Sequence, residues 1–215
     1  MPIRWTGSAD RWSGVGNAPL PEWRHDAEES APPETIATLR IDLRYSDPPI
    51  WREIEVPVAM TLKQLHAVVQ AAMQWEDAHL WEFAVGRERV GNSRATKLTL
   101  QALLRPRTTR LTYIYDFGDY WEHQLTLTKP RAADPGLAYP RYLGGENPAP
   151  PEDCGGIPGF YAKIEALADP DHPDHDDTKD WIGDFDPNRF DEQPIKDRLV
   201  RIAKRRSASG KRKQR

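Results

Sequence analysis

The stretch LTYIYDFGDYWEHQLTLT, residues 111–128, reads as two alternating strands joined by a tight Asp-Phe-Gly-Asp turn. Successive strand side chains point to opposite faces, so Leu111, Tyr113 and Tyr115 share one face while Thr112, Ile114 and Asp116 share the other. Beyond the turn, Trp121, His123, Leu125 and Leu127 fall on one face and Glu122, Gln124, Thr126 and Thr128 on its opposite. The pattern predicts a β-hairpin with one apolar face. Gly118 supplies the backbone freedom for the reversal, and Asp116 and Asp119 suit turn positions through local side-chain hydrogen bonds. His123 is the ionisable exception on the apolar face, either a hydrogen-bonded, half-buried histidine or a functional ligand or base.

Upstream, Leu39, Ile41, Leu43 and Tyr45 alternate with Arg40, Asp42 and Arg44, and Ser46-Asp47-Pro48-Pro49 interrupts them. The alternation resumes from Ile50 to Val56, which makes a first hairpin. Thr61 caps a helix reaching about Gln74, with Leu62, Leu65, Val69, Ala72 and Met73 in one stripe that also holds His66, read first as a core-edge histidine. Leu80 to Val85 is a strand with Trp81, Phe83 and Val85 on one face, a turn and short strand follow through Gly91, and Leu98 to Leu104 is a helical turn. This order predicts an α+β fold, a sheet with a helix packed on one face, rather than a parallel βαβ array.

Downstream, residues 130–158 are too rich in Pro and Gly for a strand or helix and read as one long loop. Helices are predicted over Phe160 to Ala168 and from Gln193 to Arg206, the latter with Ile195, Leu199 and Ile202 inward. Between them Asp169, Asp171 and Asp180 match three calcium-loop positions, but Asp174 stands where glycine is required, which excludes an EF-hand.

The 215 residues allow one substantial domain with extensions. Residues 1–33 lack periodicity and read as a flexible arm, complicated by Trp5, Trp12 and Trp23; residues 34–203 form the domain, and residues 204–215 read as a basic disordered tail. From Lys196 onward there are ten Lys/Arg and one acid, so this segment carries +9 and the preceding residues −12. The single cysteine, Cys154, excludes an internal disulfide and fits a reducing cytoplasm. No apolar run is long enough to span a membrane, and the first residues lack the apolar core of a signal peptide.

The segments PPIWREIEVP, TLKQLHAVVQAAMQW, HLWEF, YDFGDYWEH, YPRYLGGENPAPPEDCGG and WIGDFDPNRFD together resemble, in this order, the plasmid pRiA4b ORF-3-like family of bacterial proteins. The resemblance covers roughly residues 36–200. It implies a β-grasp or ubiquitin-like core wrapping the helix from Thr61, and an association with plasmids or mobile elements. A resolvase-like label sometimes given to the family finds no support in the residues: none of the six histidines has Arg three positions on.

Two functions compete. The first is a binding or adaptor module for a protein or small molecule, since no phosphate loop, His-Glu-x-x-His or Gly-x-Ser-x-Gly motif is present. The second is a metal-assisted hydrolase or nucleic-acid-processing enzyme. For it, Asp116, Asp119 and His123 of the hairpin would converge with Glu146, Glu152, Asp153 and Cys154 of the long loop around a divalent cation. Cys154 as a nucleophile is opposed by the neighbouring carboxylates, which raise a thiol pKa. Lys204, Arg205, Arg206, Lys211, Arg212 and Lys213 form clusters able to contact nucleic-acid phosphates or to fold back on the acidic segment.

Overall fold

The alternation around residues 36–56 builds β1 (Thr35–Leu43) and β2 (Ile50–Pro57), paired antiparallel with Leu39 opposite Ile54 and Leu43 opposite Ile50. The structure, a computed structural model, describes residues 34–103 and 109–213, with side chains to residue 208. The expected arm over residues 1–33 with its three tryptophans, Leu104, and the side chains of Lys211, Arg212 and Lys213 lie outside the described residues.

The decisive hairpin forms β5 (Arg110–Tyr115) and β6 (Trp121–Leu127), with Tyr113 opposite His123 and Tyr115 opposite Trp121. β6 pairs with β1, β5 with β3 (Trp81–Val85), and β3 with β4 (Glu88–Gly91). A short β7 (Arg131–Ala132) joins β1, and β8 (Arg141–Glu146) pairs with β2. Every pairing is antiparallel, in an eight-stranded sheet of order β4-β3-β5-β6-β1-β2-β8 with β7 beside β1.

Helix α1 (Leu62–Met73) buries Leu62, Leu65, Val68, Val69 and Met73 in the same core as Leu39, Ile41, Tyr113 and Leu125 of the sheet. Thr61 closes its N-terminus with a capping box: Thr61 Oγ1 accepts Gln64 N at 3.2 Å and Gln64 Oε1 accepts Thr61 N at 2.8 Å. Thr61→Ala removes one of these bonds, and an equilibrium urea melt should show a loss of about 1 kcal/mol. Five further helices complete the described residues: α2 (Asn92–Ala95), α3 (Leu100–Leu103), α4 (Gly156–Ala168), α5 (His175–Ile182) and α6 (Gln193–Lys213). No described helix is long and apolar enough to cross a membrane.

Two sequence expectations are corrected. Residues 130–158 are not one loop, because Arg141–Glu146 forms an edge strand, where glycine is tolerated and only one side of the ladder must be filled. Gly145 is required there: a Cβ would stand 2.7 Å from Arg52 Cδ and 2.8 Å from the Trp51 carbonyl. Arg52 is fully buried and ties β2 to β8 and α1, donating to the carbonyls of Glu146 at 2.8 Å and Ala72 at 3.1 Å. The tail read as disordered is helical as far as Lys213, since no proline interrupts it and its late basic residues complement the negative end of the helix dipole.

Candidate metal centre

β5 ends at the turn, and Asp116 there adopts a left-handed φ of 55°. Its backbone N donates to the Leu80 carbonyl at 2.9 Å, which sets the segment before β3 beside the hairpin tip. Asp116 Oδ1 accepts Gly118 N at 2.8 Å, closing the turn. The other oxygen, Oδ2, faces His79 Nδ1 at 3.7 Å.

His79 lies between α1 and β3. Its Nε2 is buried and 3.1 Å from Asp153 Oδ1, yet the two are not aligned for a hydrogen bond. The imidazole therefore stands between two carboxylates without hydrogen-bonding either. Among the described residues, His79, Asp116 and Asp153 each offer one ligand atom, and these atoms lie within 4.8 Å of one another. Donors held at about 2.0–2.2 Å around one ion are no more than about 4.4 Å apart, so the cluster would draw in slightly to hold one.

The loop that brings Asp153 is held by close backbone approach. Gly155 N donates to Asp119 Oδ2 at 3.1 Å, and Gly156, at φ +68°, lies against the turn so closely that a Cβ would be 2.3 Å from the Asp119 carbonyl oxygen. Trp75 Nε1 donates to the Pro150 carbonyl at 2.8 Å, and Glu152 Oε2 accepts Glu76 N at 2.8 Å. The other Glu152 oxygen accepts the Tyr115 hydroxyl. Burial, reinforced by Glu152, holds that phenol above its ordinary pKa.

Of the residues singled out from sequence, Asp116 and Asp153 meet in this cluster. Asp119 and Glu152 support it through Gly155 and Tyr115. His123 does not join them: it is fully buried, its Nδ1 pairs with the Trp121 carbonyl at 3.0 Å, and its Nε2 has no hydrogen-bond partner. Burial lowers its pKa to about 4, so it is neutral at pH 7. Glu146 sits in β8 and accepts Trp51 Nε1 at 3.0 Å. Cys154 is buried, and burial first and Asp119 next push its thiol up to about 12, so it is protonated and unreactive at neutral pH. His66 is the core histidine expected of it, bonded to Tyr113 Oη and Asp77 Oδ1, each at 2.7 Å.

Among the basic residues, Arg206 is committed to Glu34 at 2.6 Å and to the Tyr139 carbonyl, while Lys204 and Arg205 are exposed. That geometry gives no support to nucleic-acid contact. An apolar groove of about 550 Å³ between Pro140, Tyr142 and α6 has Lys204 in its lining and holds no His, Cys, Asp or Glu. The residue that sequence reasoning missed is His79; its signals are its place just ahead of β3, which pairs with β5, and at the head of the HLWEF segment that carries the family resemblance.

The fold and cluster together define a mixed α+β domain with one convergent His/Asp/Asp set among the described residues. The chain belongs to the plasmid pRiA4b ORF-3-like protein family, whose pattern matches residues 35–194. It is 34% identical over 163 residues to the uncharacterized protein y4hQ of Sinorhizobium fredii, covering 71% of this chain and 83% of that one. It also resembles the crystal structure of a protein of unknown function, MM3350, from Methanosarcina mazei Go1, with a TM-score of 0.69 and 35% identity. That likeness covers 74% of this chain and 96% of the other.

Proposed function

We propose that this domain is a divalent-cation-dependent binding module, with the ion held by His79, Asp116 and Asp153. The observation that carries the reading is the buried His79 Nε2, 3.1 Å from Asp153 and hydrogen-bonded to nothing, in a cluster with a second carboxylate. One imidazole and two carboxylates suit Zn²⁺, Mn²⁺ or Fe²⁺ better than Ca²⁺, which prefers an all-oxygen shell. Three protein donors leave coordination positions for an oxygen-bearing ligand.

Binding is favoured over hydrolysis because the neighbouring carboxylates are already engaged, Glu152 by Tyr115 and Glu76 N, Asp119 by Gly155 N. Metal-assisted hydrolysis is the second reading, supported by the same donor set, and phosphodiesterase assays with Mn²⁺ address it. A β-grasp kinship, a plasmid or mobile-element association, a cytoplasmic setting and an adaptor role belong to this proposal as well. The sheet packed on α1 is what supports the first of them.

Calorimetric titration with Zn²⁺, Mn²⁺, Mg²⁺ and Ca²⁺ tests the reading. One Zn²⁺ or Mn²⁺ per chain is expected, and at 100 times Kd the ion should add about 2.7 kcal/mol of stability. His79→Ala and Asp116→Asn should each abolish saturable binding. Variants that bind as the wild type does, or a wild type that binds no ion, would overturn it.

A further inference from the structure

We infer that Tyr115 is the positioning residue of the His79, Asp116 and Asp153 cluster, its one phenol oxygen linking the three chain segments that carry the ligands. The inference rests on the cation-binding reading above. Tyr115 is fully buried and directly precedes Asp116. Its Oη accepts Ala78 N at 2.9 Å and His79 N at 3.3 Å, which fixes the backbone of the ligand histidine. The same hydroxyl donates to Glu152, which directly precedes Asp153.

Ring and hydroxyl have separate tasks. The ring stacks on Trp75 at 5.1 Å and meets the His79 ring edge-on at 5.7 Å, so it packs the core whether or not the oxygen is present. The oxygen sets the spacing among segments 78–79, 115–116 and 152–153. A metal needs its donors held to a few tenths of an ångström, so groups behind the donors govern affinity even though they never touch the ion.

The test is a Co²⁺ titration of wild type, Asp116→Asn and Tyr115→Phe, followed by visible absorption, with near-ultraviolet circular dichroism recording the fold. Tyr115→Phe keeps the ring and is expected to fold, to bind Co²⁺ about 10- to 100-fold more weakly, and to shift the cobalt absorption band. If it does not fold, Glu152→Gln weakens the same linkage at constant size and should give a smaller loss with the same band shift. A Tyr115→Phe protein that merely melts earlier, with cobalt affinity and spectrum unchanged, removes the positioning role. In that case, binding lost in Asp116→Asn leaves the cation site standing. A wild type that binds no Co²⁺ removes both.

Discussion

Acidification from pH 7 to pH 4 should destabilise the protein by about 3 kcal/mol through His123 alone. The ring is fully buried, and desolvation depresses its pKa from 6.5 to about 4, with the Trp121 carbonyl opposing the shift less strongly. Above pH 6.5 both folded and unfolded chains carry neutral His123, and the favourable contribution is complete. As the pH falls from 6.5 towards 4 the unfolded chain binds a proton that the folded chain excludes, so stability drops; below 4 the loss is complete. His66 shifts in the same direction, because burial outweighs its bond to Asp77. Urea melts of wild type and His123→Leu at pH 7 and pH 4.5 isolate the effect, since surface carboxylates are common to both. The variant should lose less stability on acidification by most of that 3 kcal/mol, and also sheds an unpartnered buried nitrogen. Equal losses in the two proteins would show that His123 is not buried neutral.

Gly156→Ala should cost about 2–4 kcal/mol and weaken metal binding together with stability. Two penalties combine there, a left-handed φ of +68° and a Cβ placed 2.3 Å from the Asp119 carbonyl oxygen, which is backbone and cannot rotate away. Gly136→Ala is the control: its φ is +81° in a turn closed by Leu137 N on the Asp134 carbonyl, with nothing within 4 Å of the added Cβ, so it carries backbone strain alone, about 1 kcal/mol. For a chain of this size each kcal/mol lowers Tm by about 2–4 °C, so the two variants are separable by calorimetry. Equal Tm shifts would mean that the loop does not rest on the hairpin turn.

The hairpins, α1 and its cap were legible in the sequence because their signals are local: a period of two, a period of three to four, and Thr61 with Gln64 three residues on. The strand β8 was hidden because Gly144, Gly145 and the surrounding prolines are loop residues by composition, and only the partner strand β2 gives them a ladder. The meeting of the hairpin with the Pro/Gly loop could be anticipated from the chemistry of Asp116 and Asp153. The histidine could not. His123 stands out in the sequence by breaking an apolar face, yet that face is the core. His79 heads the HLWEF segment, which carries the family resemblance but marks no ligand, and it reaches Asp116 only because β3 pairs with β5, with Trp81 opposite Tyr115. Pairing between strands separated by some thirty residues is a tertiary property, and one sequence does not carry it.

The most direct measurement is an anomalous difference map from crystals grown with Mn²⁺ or Zn²⁺. A single strong peak is expected between the His79 imidazole and the Asp116 and Asp153 carboxylates, about 2.0–2.3 Å from each donor. A metal-free cluster, with any peaks confined to the acidic segment around Asp169 to Asp177 or to other surface carboxylates, would contradict the assignment.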